Sequence, residues 1–186
     1  MSLKNLLSER KNEILERWFE LIMGTYSLGA TGERKEEKDV FSNPVEHITS
    51  KEIGVIYEEL LSPNMNLDRL MESLDNVIRI RSIQDFSPSE AISFVFFLKK
   101  AVREELKKEM SDYKILREIL NFETAIDKLA SMAFDIYVKC KQDIYELRVN
   151  EVRTHRDRVI KVLDDVNVAY DELEKKYEEL KKARKT

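Results

Sequence analysis

Arginine and glutamine side chains gather just ahead of a predicted helix start, in the stretch RIRSIQDFSPSEAISFVFFLKK (residues 79–100). Arg79, Arg81 and Gln84 carry N–H donors, and the free backbone N–H groups in the first turn of a helix also attract negative charge. Together these groups could bind an anion or the acidic face of a partner protein. Alternatively, the arginines only close one helix, where the helix dipole favours cations, and Ser87 caps the next. The sequence favours this second interpretation and leaves the anion site as a hypothesis.

The two histidines and the single cysteine offer little further chemistry. His47 and His155 are far apart, and neither has another histidine or cysteine at the spacing of a metal site. His47 lies on a predicted helix face, which favours a structural role, although it stays a candidate ligand-binding residue beside the arginines. Cys140 falls on the apolar face of its helix, so we expect a buried thiol. No glycine-rich phosphate loop or Gly-x-Ser-x-Gly motif occurs. We therefore expect no metal, no cofactor and no catalysis.

The composition predicts a helical protein of the cytoplasm. Only 4 of the 186 residues are glycine and 3 are proline, so few residues can interrupt helices. The net charge of −4 opposes nucleic-acid binding, which favours a basic surface. No apolar run reaches the roughly 18 residues that a membrane-spanning helix needs. The lone cysteine fits a reducing compartment.

Apolar spacing and capping motifs predict the helices that position these residues. The first helix is expected over about residues 3–23, ending at the glycine-rich stretch GTYSLGATG. The next is expected to begin with Asn43 as its N-cap, and the third to cover about residues 67–83. Ser87, Pro88 and Glu90 predict a capping box at the start of the following, very apolar helix, which we expect to be the central one.

The last part of the chain carries a heptad repeat. From residue 145 onward, apolar residues alternate in steps of four and three over about five heptads, which is typical of a coiled coil. Arg156 alone interrupts the a and d positions. The predicted coiled-coil residues are Val149, Val152, Val159, Leu163, Val166, Tyr170, Leu173, Tyr177 and Leu180. A second copy of the chain is the simplest partner, in either orientation, and the alternative is that this helix folds back on its own bundle.

Four stretches of the chain together resemble a known family. They are LLSERKNEILERWFELI, FSNPVEH, RIRSIQDFSPSEAISFVFFLKK and FDIYVKCKQDIYELRVNEV. In this order, over about residues 5–150, they are similar to the RsbRD N-terminal domain, the sensor-type domain of RsbR-like co-antagonists of the kinase RsbT. The resemblance implies a globin-like helical bundle that binds no haem, dimerises and passes a signal along its last helix. In stressosome members that helix leads to a STAS domain, which residues 1–186 do not contain. We therefore expect either a stand-alone member of the family or the input fragment of a longer protein.

Residues and resemblance together predict a non-enzymatic regulatory homodimer of bacterial stress or signal transduction. We expect a globin-like sensor domain over residues 1–144 and a coiled-coil signalling helix over residues 145–186. An input to the sensor domain would alter the coiled-coil helix. The altered helix would then change the state of a protein partner, such as a kinase or another regulator. The stretch LDRLMESLDNVIRIR has no histidine where a haem globin needs its proximal ligand. The alternative function is a passive adaptor that joins two proteins without any ligand input.

Overall fold

The computed structural model describes residues 2–29, 44–84 and 86–183 of the chain. Within these residues it contains six α-helices, one 3-10 turn and no strand, which confirms the predicted all-α class. The helices are α1 (Leu3–Glu9), α2 (Lys11–Gly29), α3 (Pro44–Leu61), α4 (Leu67–Ile83), α5 (Pro88–Glu105) and α6 (Tyr113–Ala183). The chain divides into two compact units, Met1–Lys141 and Gln142–Thr186.

The starts of the helices follow local capping chemistry. At α5 the Ser87 hydroxyl accepts from the backbone N–H of Glu90, and the Glu90 carboxylate accepts from the backbone N–H of Ser87. This confirms the predicted capping box, in which each side chain satisfies a free N–H group of the first turn. At α4 the side chain of Asn66 serves as the N-cap. The predicted N-cap of α3, Asn43, lies outside the described residues.

The prediction of one helix over residues 3–23 was wrong in two respects. The structure has two helices there, and the second ends later than expected. The chain leaves helical geometry at Arg10, with φ −97° and ψ 21°, and this residue separates α1 from α2. A break at a charged residue within a run free of glycine and proline gives no local signal in the sequence. Helix α2 then continues through the expected stop as far as Gly29. Gly24, at which the helix was expected to end, lies within it.

The hydrophobic core of the first unit is formed by helices α1, α2, α3, α4 and α5 together with the first part of α6. The polar groups of two large aromatic side chains in this core donate hydrogen bonds to backbone carbonyls. The indole N–H of Trp18 donates to the carbonyl of Phe94 at 2.6 Å, and the Tyr57 hydroxyl donates to the carbonyl of Leu7 at 2.9 Å. Helix α5 buries six residues, which are Ala91, Phe94, Val95, Leu98, Ala101 and Val102. Helix α4 buries seven, and Phe96 of α5 is exposed, so α5 is not the most buried helix, as its apolar sequence had led us to expect.

Ion pairs fix the first part of α6 to α5. Both guanidinium nitrogens of Arg103 that face α6 donate to the carboxylate of Glu123, and the Lys99 ammonium donates to Asp127. Glu123 is buried, so its paired arginine offsets the cost of removing a carboxylate from water. Helix α6 shows no break near residue 121. The ion pairs therefore anchor this continuous helix to the core before it reaches the second unit.

Candidate functional site

The candidate site lies where α4 meets α5. We define the α4–α5 corner as residues 81–84 together with Phe86 and Ser87. Helix α4 ends at Ile83, and the backbone N–H of Gln84 still donates to the carbonyl of Ile80. Helix α5 then begins at Pro88, behind the capping box. The corner thus lies between two helices whose ends are satisfied by their own residues.

Arg81 is a core residue at this corner, with 0% of its surface exposed. Its Nη2 donates to the Thr25 hydroxyl at 3.2 Å and to the backbone carbonyl of Glu90 at 2.8 Å. The guanidinium carbon lies 4.3 Å from the ring centroid of Phe86 and 5.2 Å from that of Tyr26. Both contacts are cation–π interactions, which partly stabilise a cation removed from water. Arg81 therefore ties α2, α4 and α5 together from within the core.

The bonding of Arg81 is incomplete. Its Nε and Nη1 atoms are buried without a hydrogen-bond partner, and the buried hydroxyl oxygen of Tyr26 also has none. Within the described residues, no carboxylate oxygen lies within 4.0 Å of its guanidinium nitrogens. Burial lowers the pKa of Arg81 below its ordinary value, while the nearby Tyr26 and Glu90 oppose this change. An arginine retains its charge throughout the physiological pH range, so the site holds a buried positive charge.

The carboxylate of Glu90, which opposes the lowering of the Arg81 pKa, is engaged elsewhere. The Glu90 carboxylate accepts from the backbone N–H of Ser87 at 2.9 Å and from its hydroxyl at 2.6 Å. These hydrogen bonds lower the pKa of Glu90, with a smaller contribution from Arg81. The carboxylate therefore serves the cap, and only the backbone carbonyl of Glu90 bonds to Arg81.

The other predicted site residues do not contact Arg81. Residues two apart on a helix point to nearly opposite sides, and Arg79 accordingly lies at the surface, where its Nε donates to Asp75 one turn earlier. Gln84 is exposed at the end of α4, and His47 is exposed in the first turns of α3. The described contacts of Arg81 include none of these three residues. The predicted pairing of two arginines is thus replaced by one buried arginine among aromatic rings.

Residues on α2 complete this cluster, and the sequence did not point to them. Thr25 and Tyr26 fall in the stretch expected to end the first helix, so they were not expected to reach the corner. The Tyr26 ring packs edge-on against Phe86, with 5.2 Å between ring centroids. We call Thr25, Tyr26, Arg81 and Phe86 the Arg81 cluster. Aromatic rings that come together around an arginine only in the folded protein leave no local pattern in the sequence.

Helix α6 contacts the same corner at two places. The Tyr137 hydroxyl donates to the backbone carbonyl of Phe86 at 2.9 Å, and the Lys141 ammonium donates to that of Ser82 at 2.8 Å. Between them on the helix, Cys140 is buried as predicted, with its sulfur 4.0 Å from a carboxylate oxygen of Asp75. One helix therefore holds both ends of the α4–α5 corner.

The second unit presents an apolar stripe to solvent. We give this name to the predicted coiled-coil residues whose side chains are described, which are Val149, Val152, Val159, Leu163, Val166, Tyr170, Leu173 and Tyr177. Val149 is half-buried, and the other seven are 47% to 69% exposed. The side chain of Leu180 lies outside the described residues. Arg156, which interrupts the repeat, donates to Asp157 at 2.7 Å.

Two apolar residues that the heptad assignment left out widen this stripe. Ile160 at an e position and Val162 at a g position are 48% and 60% exposed. Both flank Leu163 and lie beside the a and d positions, where coiled-coil partners make additional contacts. Apolar spacing alone could have identified them, because they are large aliphatic residues in an otherwise charged sequence.

None of the helices within residues 2–29, 44–84 and 86–183 is both long and apolar enough to cross a membrane. The same residues contain no group of three or more histidine, cysteine, aspartate or glutamate side chains placed to hold a metal ion.

The fold defines this protein as an all-α domain with a long last helix, organised around a core that includes one buried arginine. Its sequence matches the family model for the RsbT co-antagonist protein rsbRD N-terminal domain over residues 12–152, and the chain belongs to this family. The family is one of regulatory domains in stress signalling.

The other comparisons give more distant matches. An uncharacterised protein of Archaeoglobus fulgidus is 25% identical over 96 residues, which cover 51% of this chain and 60% of that protein. The chain thus spans less than two thirds of the length of this relative. No solved structure matches the sequence significantly.

Proposed function

We propose that this chain is a non-enzymatic sensor module that acts as a homodimer in the cytoplasm. An input to the helical domain (residues 1–144) alters a coiled coil formed by residues 145–186. The coiled coil in turn changes the state of a protein partner, a kinase or another regulator of the stress-signalling pathway. The observation that carries this proposal is that α6 bonds to the α4–α5 corner through Tyr137 and Lys141 and also bears the apolar stripe.

The apolar stripe supports the dimer. A row of aliphatic and aromatic side chains at a and d positions remains exposed in the single chain. Isolated apolar residues on a surface are ordinary, but a continuous stripe of them marks an interaction surface. A second copy of the same helix buries it most simply, since the heptad phase of the two helices then matches.

The corner contacts support the transmission of a signal. A change at the corner that displaces the carbonyls of Ser82 or Phe86 must also break or move their hydrogen bonds to α6. A ligand that prefers one arrangement of the corner would therefore also select one arrangement of α6. The differential affinity of that ligand for the two arrangements sets the size of the shift.

A passive adaptor is the second candidate function. The ion pairs of Lys99 and Arg103 with α6 favour it, because they fix this helix to α5 independently of the corner. In an adaptor the bundle would bind one protein and the coiled coil another, and no change would pass between them.

Native mass spectrometry of the full chain tests the dimer, and a monomer at micromolar concentration would contradict it. Hydrogen–deuterium exchange tests the coupling, by comparison of Tyr137→Phe with the wild-type protein. We expect faster exchange over residues 145–183 in this variant, since it loses a hydrogen bond between α6 and the corner. Lys99→Met is the matched control, because it removes one bond to α6 that does not involve the corner. Equal exchange in the wild type and both variants would favour the adaptor.

A further inference from the structure

We propose that the Arg81 cluster binds a small oxyanion, a carboxylate or phosphate group, held by the free N–H groups of Arg81 and the hydroxyl of Tyr26. This inference rests on the proposed sensor function and gives the chemical class of its input. It concerns one buried arginine and its aromatic neighbours, since Arg79 is engaged at the surface with Asp75.

The donors of Arg81 determine the chemistry of the missing partner. A guanidinium has five N–H groups and no acceptor, and Nη2 directs its two toward Thr25 and the carbonyl of Glu90. The N–H groups of Nε and Nη1 are buried and make no hydrogen bond. The face of the Phe86 ring interacts with the cation, and Tyr26 contacts it through its ring and acts on it electrostatically. The partner must therefore be a hydrogen-bond acceptor that reaches the edge of the guanidinium.

The charge of Arg81 favours an anion over a neutral acceptor. A buried cation is costly unless it is paired, and no carboxylate of the described residues pairs with this one. Water could accept the free N–H groups, but it would leave the positive charge uncompensated. Oxyanions supply acceptors and charge together, and arginine binds them through short charge-assisted hydrogen bonds.

Most of the unpaired buried polar atoms of the described residues lie in the Arg81 cluster. Five buried side-chain atoms of these residues lack a hydrogen-bond partner, and three of them belong to Tyr26 and Arg81. All three can donate to an acceptor, since two are guanidinium nitrogens and one is a hydroxyl oxygen. Native proteins satisfy nearly all their buried polar groups, so such a concentration of free donors marks a binding site.

The position of the cluster also fits an input site. Tyr26 and Phe86 are only partly buried, so the cluster reaches the surface at the corner, although Arg81 itself is covered. Helix α6 bonds to the carbonyls of Ser82 and Phe86, which adjoin or belong to the cluster. An anion that draws the Arg81 side chain toward itself would act directly on this segment.

The test is anion binding by the full chain, with inorganic phosphate and acetate as the probes. The melting temperature and the heat of binding are measured against sodium chloride at matched ionic strength. We expect one of the two oxyanions to stabilise the protein where chloride does not. Stabilisation by phosphate alone assigns the ligand to phosphorylated compounds, and stabilisation by acetate alone assigns it to carboxylates.

Tyr26→Phe is the decisive variant, because it removes a hydroxyl of the Arg81 cluster and keeps the aromatic ring that contacts Arg81. It should keep the fold and weaken anion binding about fivefold or more. Arg79→Met is the matched control, since it removes a surface guanidinium close in sequence, and it should leave binding unchanged. Arg81→Met should lose binding at least about tenfold if it folds.

Two results would overturn the anion site. One is that neither phosphate nor acetate raises the melting temperature more than chloride does. The other is that Arg79→Met weakens binding as much as Tyr26→Phe, which would indicate a general effect of charge. Failure of the proposed function gives a different result, in which anions bind at Arg81 but hydrogen exchange over residues 145–183 does not respond to them.

Discussion

Val166 and Val168 provide a matched pair for testing the apolar stripe. Both are valines of the second unit, two residues apart on α6, and they are 57% and 59% exposed. In the heptad assignment Val166 occupies a d position, whereas Val168 occupies an f position on the far side of the helix. We expect Val166→Asp to weaken the dimer strongly and Val168→Asp to leave it unchanged.

The size of the effect follows from the exposure of Val166. Complete burial of a valine side chain contributes about 1.5 kcal/mol, and rather more than half of its surface remains to be buried. Each chain thus gains about 1 kcal/mol at this position, and the two chains of a dimer gain about 2 kcal/mol. Loss of this burial alone raises the dissociation constant about 30-fold. The aspartate charge in the interface raises it further, because it has no partner there.

Sedimentation equilibrium over a range of protein concentrations measures the dissociation constants of the wild type and both variants. Circular dichroism checks that helix content is preserved, because aspartate lowers helix propensity equally at the two positions. Equal dissociation constants for the two variants would refute the heptad assignment. An unchanged dimer in Val166→Asp would show that this face of α6 is not the interface.

Three further predictions concern the helical bundle. Tyr57→Phe should cost about 1 kcal/mol at neutral pH through its lost hydrogen bond. Burial raises the pKa of Tyr57 above its ordinary 10.0, so stability present below pH 10 is lost as the pH rises further, and the variant should lose less of it in alkaline chemical denaturation. Ser87→Ala should cost about 1 kcal/mol as a lost helix cap. Because Ser87 lowers the pKa of Glu90 from 4.5, wild-type stability should fall below pH 4.5 more steeply than that of the variant. Arg103→Met should cost about 2 kcal/mol, since it leaves the buried Glu123 carboxylate without its hydrogen bonds, and adding Glu123→Gln should recover part of this loss in urea titrations.

The features that depend on neighbouring residues in the chain could be predicted from the sequence. The capping box of Ser87 and Glu90 is encoded within four residues, and the structure confirms it. Helix α4 and the buried Cys140 follow from apolar periodicity in the same way. The break at Arg10 could not be predicted, because the residues around it favour a helix throughout and tertiary packing overrides that preference.

The Arg81 cluster shows where local reasoning fails. Arg81 itself was a candidate from the sequence, but a charged residue near a helix end is normally expected at the surface. Its burial depends on Thr25 and Tyr26 from another helix, some 56 residues away in the case of Thr25. The free donors of the guanidinium become visible only when every packed neighbour is known. The apolar stripe, in contrast, could be predicted from the periodicity of the sequence. The sequence of a single chain does not identify the helix that packs against this stripe.

The uninterrupted course of α6 has a consequence for how this domain can be joined to other modules. Its 71 residues hold one helical phase, and each inserted residue rotates everything after it by about 100°. An insertion of seven residues rotates the following part by only about 20°, whereas two inserted residues turn its apolar side to the opposite face. Fusions to foreign output domains should therefore respond to spacer length with the helical period of about 3.6 residues, so that seven inserted residues, about two turns, restore the phase most closely. Spacers of intermediate length would disconnect an output domain that folds normally.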